Sequence, residues 1–118
     1  MTVNEIVDAL KLEVFSGKQG LNNEINGGYT SDLLSDVMGH ANEGNVWITL
    51  QTHKNIMAIA SLKDLAAIIL VKGFKPDRDT MEKSEEDGIP ILGTELQTFQ
   101  VNGKVYNLLQ MKSIQSMH

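Results

Sequence analysis

The chain contains no cysteine, only two prolines and one arginine, and these scarcities limit its chemistry. Without cysteine it can form no disulfide, no thiolate metal site and no cysteine nucleophile. Arg78 is the single arginine, the lysines are not clustered, and the formal net charge is −5. A surface that follows a nucleic acid backbone needs a basic patch or stripe. We therefore expect no nucleic acid partner.

Long apolar runs are also missing. The longest strongly apolar run, Leu65 to Val71, is far shorter than the roughly 20 residues that span a bilayer. The first ten residues, MTVNEIVDAL, lack the basic region and apolar core of a secretory signal. We expect a soluble, cytoplasmic protein with no membrane partner. A length of 118 residues predicts one domain, residues 1–118, with its own core.

Catalytic and cofactor motifs are absent as well. No GxxxxGK[ST] loop and no GxGxxG loop occurs anywhere in the sequence, so no nucleotide-hydrolysing or dinucleotide site is predicted. The internal histidines, His40 and His53, have no second ligand at HxxxH or HExxH spacing, so no metal site is predicted. No serine has an evident base and orienting acid. We predict neither catalytic residues nor a cofactor.

Strand-like and helix-like segments alternate along the chain. Thr2 and Glu5 have the spacing of a capping box at the start of the first helix. Three strand-then-helix units follow in succession with short connections, which predicts an α/β domain with a largely parallel or mixed sheet flanked by helices. A turn is predicted at Asn102-Gly103. Helices are predicted over about 3–11, 33–38, 56–64, 77–87 and 94–101, and strands over 12–15, 24–26, 46–50, 66–71 and 89–92.

The segment 24–38, EINGGYTSDLLSDVM, is the most informative part of the chain. It predicts a short strand, a turn at Gly27-Gly28, and a helix whose first free amides are capped by Ser31. A strand, a glycine-rich turn and a helix N-terminus together can hold an anion. A plain strand-to-helix connection is the alternative that the sequence leaves open.

A second polar group follows the buried strand VWITL (46–50). The carboxyl ends of parallel strands meet at one edge of a sheet, where ligands usually bind. Lys72-Gly73 and Gly93-Thr94 are expected at the same edge. Capping of the next helix by Thr52 or His53 is the alternative to ligand contact. The predicted ligand-binding residues are Gly27, Gly28, Tyr29, Ser31, Thr49, Gln51, Thr52, His53 and Asn55.

Asp32 and Asp36 are four residues apart and are predicted to share one helix face. Paired carboxylates can serve acid-base chemistry or bind a divalent cation. A solvated helix face is the favoured interpretation here, because both residues are expected opposite the apolar side of the helix.

Over residues 3–110 the chain resembles the DRTGG domain family. The resemblance rests on Gly27-Gly28-Tyr29, on SDLLSDVM (31–38), on VWITLQTH (46–53), on the buried run 66–70 and on GIPIL (88–92). The family is named for an Asp-Arg-Thr-Gly-Gly segment. Here the corresponding residues 23–28 read NEINGG, so only the glycines are retained. The family is similar to the N-terminal domain of HPr kinase/phosphorylase, and this chain resembles stand-alone members associated with iron-only hydrogenases.

The resemblance implies a regulatory or ligand-sensing domain. Because the polar strand edge has no assembled catalytic group, we expect a non-enzymatic regulatory or accessory domain that senses a nucleotide or another anionic metabolite. We expect it to form a homodimer, since twofold closure is the commonest symmetry of small domains that self-associate. The alternative is an interaction or assembly module for a redox enzyme such as an iron-only hydrogenase. We expect no kinase activity, because no phosphate-binding loop is present. The C-terminal segment VYNLLQMKSIQSM (105–117) carries more apolar residues than one short helix face needs, which favours self-association.

Overall fold

The computed structural model describes residues 1–116 and places five helices around one five-stranded sheet. Helix α1 begins after Thr2, whose hydroxyl accepts from the Glu5 amide in the predicted capping box. A short 3-10 turn, Lys18–Gly20, follows the first strand. The helices are α1 Val3–Leu10, α2 Leu34–His40, α3 Asn55–Leu62, α4 Arg78–Asp87 and α5 Thr98–Ser116, and the strands are β1 Glu13–Ser16, β2 Gly27–Thr30, β3 Asn45–Thr49, β4 Ala67–Leu70 and β5 Ile91–Gly93.

The strand order is β1-β5-β4-β3-β2, with β2 to β5 parallel and β1 antiparallel to β5. The predicted α/β fold with a largely parallel sheet is therefore confirmed. The antiparallel register pairs Glu13 with Gly93. As a result, the beginning of β1 lies at the same edge of the sheet as the carboxyl ends of the four parallel strands.

Apolar layers on the two faces of the sheet form the core. One layer joins α1 and α5 to the sheet through residues such as Ile6, Ile69 and Val105. The other joins α2 and α3 to it through residues such as Met57 and Trp47, which is fully buried. Helix α4 packs beside α3. The sheet is thus covered on both faces, which explains the continuous apolar character of β3 and β4.

Gly27 and Gly28 lie in strand β2, so the predicted glycine turn is wrong. They pair in parallel register with Asn45 and Val46, and neither has a positive φ. The strand prediction for residues 24–26 placed this element too early by about three residues. Strand propensity is low for glycine, but pairing with the buried strand β3 outweighs that preference.

Helix α5 is continuous through Asn102 and Gly103, so the predicted turn there is wrong. Val101 and Val105, four residues apart, are buried against the sheet, and this packing outweighs the low helix propensity of the pair between them. The helix begins at Thr98 and not at residue 94 as predicted. The Leu96 amide donates to the Thr94 hydroxyl in a preceding turn, and the Gln97 amide donates to the Gln100 side chain at the helix start. Met117, in the segment predicted to self-associate, lies outside the described residues. No helix within residues 1–116 is both long and apolar enough to cross a membrane.

Candidate ligand site at the carboxyl edge of the sheet

The loops that follow β2 and β3 are joined through Asp32. Its Oδ1 atom accepts the Thr49 hydroxyl at 2.7 Å and the Leu50 amide at 3.0 Å, and the Gln51 side chain donates to its backbone carbonyl at 2.8 Å. Thr49 and Gln51 are therefore brought together at the predicted edge, but their polar groups bind the protein itself. Asp32 precedes α2, so the prediction that it shares a helix face with Asp36 is wrong.

Ser31 does not cap α2 as predicted. The helix starts after Leu33, which makes no side-chain capping bond, and the Ser31 hydroxyl accepts from the Leu33 amide at 3.1 Å. The Ser31 carbonyl accepts the indole N–H of Trp47 at 2.8 Å. Ser31 is thus part of the connection between the edge strand and the core.

Tyr29 donates its hydroxyl to Asp36 at 2.9 Å, across the connection from β2 to α2. This bond to a carboxylate raises the pKa of Tyr29. Hydrogen bonds from Ser31 and then Tyr29, with a smaller contribution from the nearby His40, lower the pKa of Asp36. The bond fixes the position of the Tyr29 ring, which packs against the apolar layer on the α2 and α3 face.

Thr52 and His53 connect the start of α3 with the start of α4. The Thr52 carbonyl accepts from the Asp77 amide at 3.1 Å and from the Thr80 hydroxyl at 2.9 Å. The His53 ring lies 2.7 Å from the Asp77 carboxylate. Lys54 is the N-cap of α3 and makes no side-chain capping bond, so capping by Thr52 or His53 is wrong. Asn55, the first residue of α3, is exposed.

The nine predicted residues do not form one site. Gly27 and Gly28 are the first residues of β2, whereas Ser31 follows its last residue. The two glycines therefore lie near the amino end of the strand, away from the carboxyl edge of the sheet. At about 3.3 Å per residue, Gly27 is separated from Ser31 by roughly 13 Å. Gly28 lines a different cavity beside α5. Ligand contact by any of the nine residues stays a prediction.

A separate cavity of about 310 Å³ opens at the carboxyl edge where β4, β5 and the start of β1 meet. Its volume lies near the lower end of the range for small-molecule sites. Gly73 and Gly93-Thr94 lie at this edge, as the sequence predicts, but they are not among the nine predicted ligand-binding residues. The cavity is lined by Lys11, Glu13, Phe15, Gly73, Phe74, Lys75, Gly93, Thr94 and Glu95.

The backbone around this cavity has an unusual conformation. Lys11 at the end of α1 has a φ of 54°, Lys72 after β4 has a φ of 59°, and the adjoining Gly73 has a φ of 76°. The value at Lys11 belongs to the left-handed C-cap of α1, a common helix ending, whereas Lys72 lies outside any helix and its left-handed backbone is strained, as is often found at ligand sites. A Cβ atom at Gly73 would lie 2.5 Å from a carboxylate oxygen of Glu95. That side chain can move aside, so the preference for glycine here comes from the positive φ.

The side chains around the cavity offer three kinds of contact. Lys11 and Lys75 carry ammonium groups, and Glu13 and Glu95 carry carboxylates; none of the four takes part in an ion pair among residues 1–116. Two phenylalanine rings supply apolar surface, and the Thr94 hydroxyl adds a polar group. Within the same residues, no group of three or more histidines and acidic side chains is arranged to hold a metal ion.

These features define an α/β domain with a ligand-sized cavity at the carboxyl edge of its parallel strands. The chain belongs to the DRTGG domain family, whose model matches residues 5–108. The HPr kinase/phosphorylase of Levilactobacillus brevis is 29% identical over 138 aligned positions, which cover 100% of this chain and 43% of that protein. The chain thus spans less than half the length of this curated relative.

A solved structure shows the same fold. It is the crystal structure of the CBS and DRTGG domains of the regulatory region of Clostridium perfringens pyrophosphatase, complexed with the activator diadenosine tetraphosphate. The TM-score is 0.63 at 16% sequence identity, and the match covers 85% of this chain and 44% of that chain. At this identity the likeness concerns the fold alone.

Proposed function

We propose that the chain is a non-enzymatic regulatory domain that binds a nucleotide or a related phosphate-bearing metabolite in the cavity above β4, β5 and the start of β1. The observation that carries the proposal is the set of charged and aromatic side chains around that cavity, of which the four charged ones form no ion pair among residues 1–116. The ammonium groups of Lys11 and Lys75 can bind a phosphate. The carboxylates of Glu13 and Glu95 can accept hydrogen bonds from ribose hydroxyls or an exocyclic amine. The rings of Phe15 and Phe74 can stack on a base.

Binding without catalysis fits the residues present. The sequence has no loop that offers the amide cradle, lysine and hydroxyl that hold a triphosphate and magnesium. None of the described residues that line the cavity is a histidine or a serine. The pyrophosphatase regulatory region is complexed with a dinucleotide activator, which makes nucleotides the first compounds to test here. The phosphotransfer activity of the longer HPr kinase/phosphorylase is not proposed for this chain.

A thermal-shift experiment tests the proposal with AMP, ATP, diadenosine tetraphosphate and inorganic phosphate as probes. A probe that binds only the folded state at 100 times its Kd should stabilise it by about 2.7 kcal/mol. We expect at least one nucleotide to raise the midpoint in a saturable way, and phosphate alone to do so weakly. Absence of a shift with all of the nucleotides at millimolar concentration would contradict the proposal.

Matched variants locate the site. Lys11→Gln with Lys75→Gln should weaken nucleotide binding at least tenfold, because both ammonium groups are lost. Lys18→Gln with Lys63→Gln makes the same change in net charge away from the cavity and should leave affinity within twofold. The double variant Thr52→Ala with His53→Ala should also bind normally. If binding is weakened in that variant alone, the ligand site is the loop after β3 that the sequence predicts.

An assembly role with a redox enzyme such as an iron-only hydrogenase is the second candidate. Exposed apolar side chains on α5, including Phe99, Met111 and Ile114, favour a protein contact of some kind. Sedimentation of the purified chain with a purified hydrogenase tests this role directly. Co-sedimentation that is lost in Phe99→Glu would support it, and independent sedimentation at high micromolar concentration would contradict it.

A further inference from the structure

Strand β2 lies at the edge of the sheet, and its four residues include no charged residue and no proline. The Ser31 amide donates to the Ile48 carbonyl, and backbone groups of successive strand residues alternate in direction. The amides and carbonyls of Gly28 and Thr30 therefore point away from β3, toward open space. Natural edge strands usually carry charged residues, proline or a bulge that block pairing. β2 reads GGYT and has none of these.

Gly28 is not required by the fold itself. Its φ is not positive, and an added Cβ would meet Val46 at 3.6 Å, an ordinary van der Waals distance. Glycine inside a strand is nevertheless destabilising. The missing side chain leaves open a groove of about 160 Å³ between the edge strand and α5. The groove is lined by Gly28, Thr30, Ile48, Asn102, Val105, Tyr106 and Leu109.

The distribution of charge makes this face suitable for a second copy of the chain. All of the 15 acidic residues lie outside β2 and α5. The charged residues of α5 are Lys104 and Lys112, and the Lys112 ammonium lies 2.9 Å from the Glu5 carboxylate. A chain with a net charge of −5 repels itself over most of its surface. Neither β2 nor α5 therefore brings a carboxylate of its own to this face, and Asp36, which lies beside it, is bonded to the Tyr29 hydroxyl.

We propose that β2 of two copies pairs in antiparallel fashion about a twofold axis at Tyr29, so that one sheet runs through both copies. In this register Gly28 and Thr30 of each strand exchange backbone hydrogen bonds with Thr30 and Gly28 of the other. Tyr29 then faces its own counterpart at the closer, non-hydrogen-bonded position. Antiparallel pairing of identical strands is isologous, so the assembly closes as a dimer.

The pairing also brings the two α5 helices side by side. A stable dimer buries about 800 Å² on each partner, which is more than one short strand provides. Phe99 and Tyr106 lie two turns apart on α5 and are 88% and 63% exposed. Tyr106 lines the groove beside β2. Contact between the two helices would cover these rings and supply the remaining interface.

Sedimentation equilibrium of the full chain and two variants tests the interface. Thr30→Pro removes an outward-facing amide while leaving the bonds to β3 in place, because proline is tolerated on an edge strand. Tyr106→Glu sets like charges against each other across the twofold axis. We expect a dimer at micromolar concentration and at least tenfold weaker association in each variant. Leu62→Glu, on α3 and 68% exposed in the wild type, is the matched control and should not change association.

Hydrogen exchange in the unaltered chain provides a second measurement that does not depend on variants. The amides of Gly28 and Thr30 should gain protection as the protein concentration rises, whereas the Ser31 amide should be protected at all concentrations. The proposal is overturned if the chain stays monomeric at high micromolar concentration. It is equally overturned if a dimer forms without protecting Gly28 and Thr30, or if only an unrelated protein partner protects them.

Discussion

Among single residues, Asp32 shows most clearly how polar side chains at the carboxyl edge serve the fold. One carboxylate oxygen holds both the Thr49 hydroxyl and the Leu50 amide, so it fixes the loop after β3 against the loop after β2. Density of polar residues in the sequence predicted a ligand site here. The observed bonds show that some of these polar side chains are present because they bind backbone and hydroxyl groups of the protein itself.

Replacing Asp32 with Ala should lower the free energy of unfolding by about 1–2 kcal/mol, because two hydrogen bonds to a charged but exposed acceptor are lost. Asp8→Ala is the control, since Asp8 is exposed on α1. It should change the free energy by less than about 0.5 kcal/mol. Urea unfolding at neutral pH measures both values. Equal effects of the two substitutions would contradict the role assigned to Asp32.

The bond from Tyr29 to Asp36 predicts a dependence on pH. The pKa of Asp36 is lowered in the folded protein by Ser31, Tyr29 and His40. Its contribution to stability is therefore present above the pKa of the unfolded chain, near 4, and is lost as the pH falls through the lower folded value. Tyr29→Phe should destabilise the protein at pH 7 and progressively less as the pH falls below the unfolded value of about 4.

Urea unfolding of the wild type and Tyr29→Phe across this pH range checks the expectation. Tyr106→Phe, which removes a hydroxyl from an exposed ring on α5, is the control and should show no such dependence. If the free energies of unfolding of the wild type and Tyr29→Phe differ by the same amount at every pH, the hydroxyl does not act through the Asp36 carboxylate.

Among the helices and strands, α5 offers the clearest test of a sequence prediction that failed. Gly103 lies inside the helix, and a Cβ atom added to it would meet nothing within 4 Å. Gly103→Ala should therefore raise the free energy of unfolding by roughly 0.5–1 kcal/mol, as it does in exposed helix interiors. Destabilisation would indicate a turn at Asn102-Gly103, as the sequence predicted.

Gly20→Ala is the contrasting substitution for the same thermal and urea measurements. A Cβ at Gly20 would lie 2.1 Å from the Gly88 carbonyl oxygen and 2.7 Å from the Pro90 ring, so the backbone must shift. Overpacking of this kind costs about 1–3 kcal/mol. Gly103→Ala should therefore raise the free energy of unfolding, and Gly20→Ala should lower it. A neutral Gly20→Ala would contradict the close approach of these loops.

The order and type of most elements could be predicted from the sequence because their apolar patterns are strong. VWITL and the run around residues 66–71 are almost wholly apolar, as strands covered on both faces must be. The strand at Gly27-Gly28 could not be predicted in this way, since glycine favours turns in local terms. Its pairing with β3 is a tertiary effect that no local pattern reports.

The lysine-bearing cavity was beyond sequence analysis for a related reason. Lys11, Glu13 and Phe15 reach it because β1 runs antiparallel to β5, although 80 residues separate Glu13 from its partner Gly93. Nothing local in the sequence specifies that pairing. Lys72-Gly73 and Gly93-Thr94 were correctly expected at the edge, because parallel strands bring their carboxyl ends together. The antiparallel edge strand β1 then adds Glu13 and Phe15 to the cavity lining.

In the molecule as a whole, the proposed ligand cavity and the proposed dimer face lie at opposite ends of the strand order. The cavity involves β1, β5 and β4, whereas the dimer face involves β2. A dimer through β2 would place the two cavities at the outer ends of the combined sheet. Nucleotide binding should then follow a single-site isotherm with the same Kd for monomer and dimer. Titration calorimetry of the wild type and Tyr106→Glu measures the Kd of both. A difference in Kd of more than about threefold would contradict the expectation that nucleotide binding does not depend on dimer formation.

The central claim is that the cavity at the carboxyl ends of β4 and β5 receives a nucleotide. An amide NMR titration of the full chain with ATP and with diadenosine tetraphosphate tests it most directly, because it reports every backbone position at once. The account predicts saturable shifts concentrated at Gly73, Phe74, Lys75, Gly93 and Thr94. Shifts concentrated at Thr52 to Asn55, or no saturable shift with either nucleotide, would contradict it.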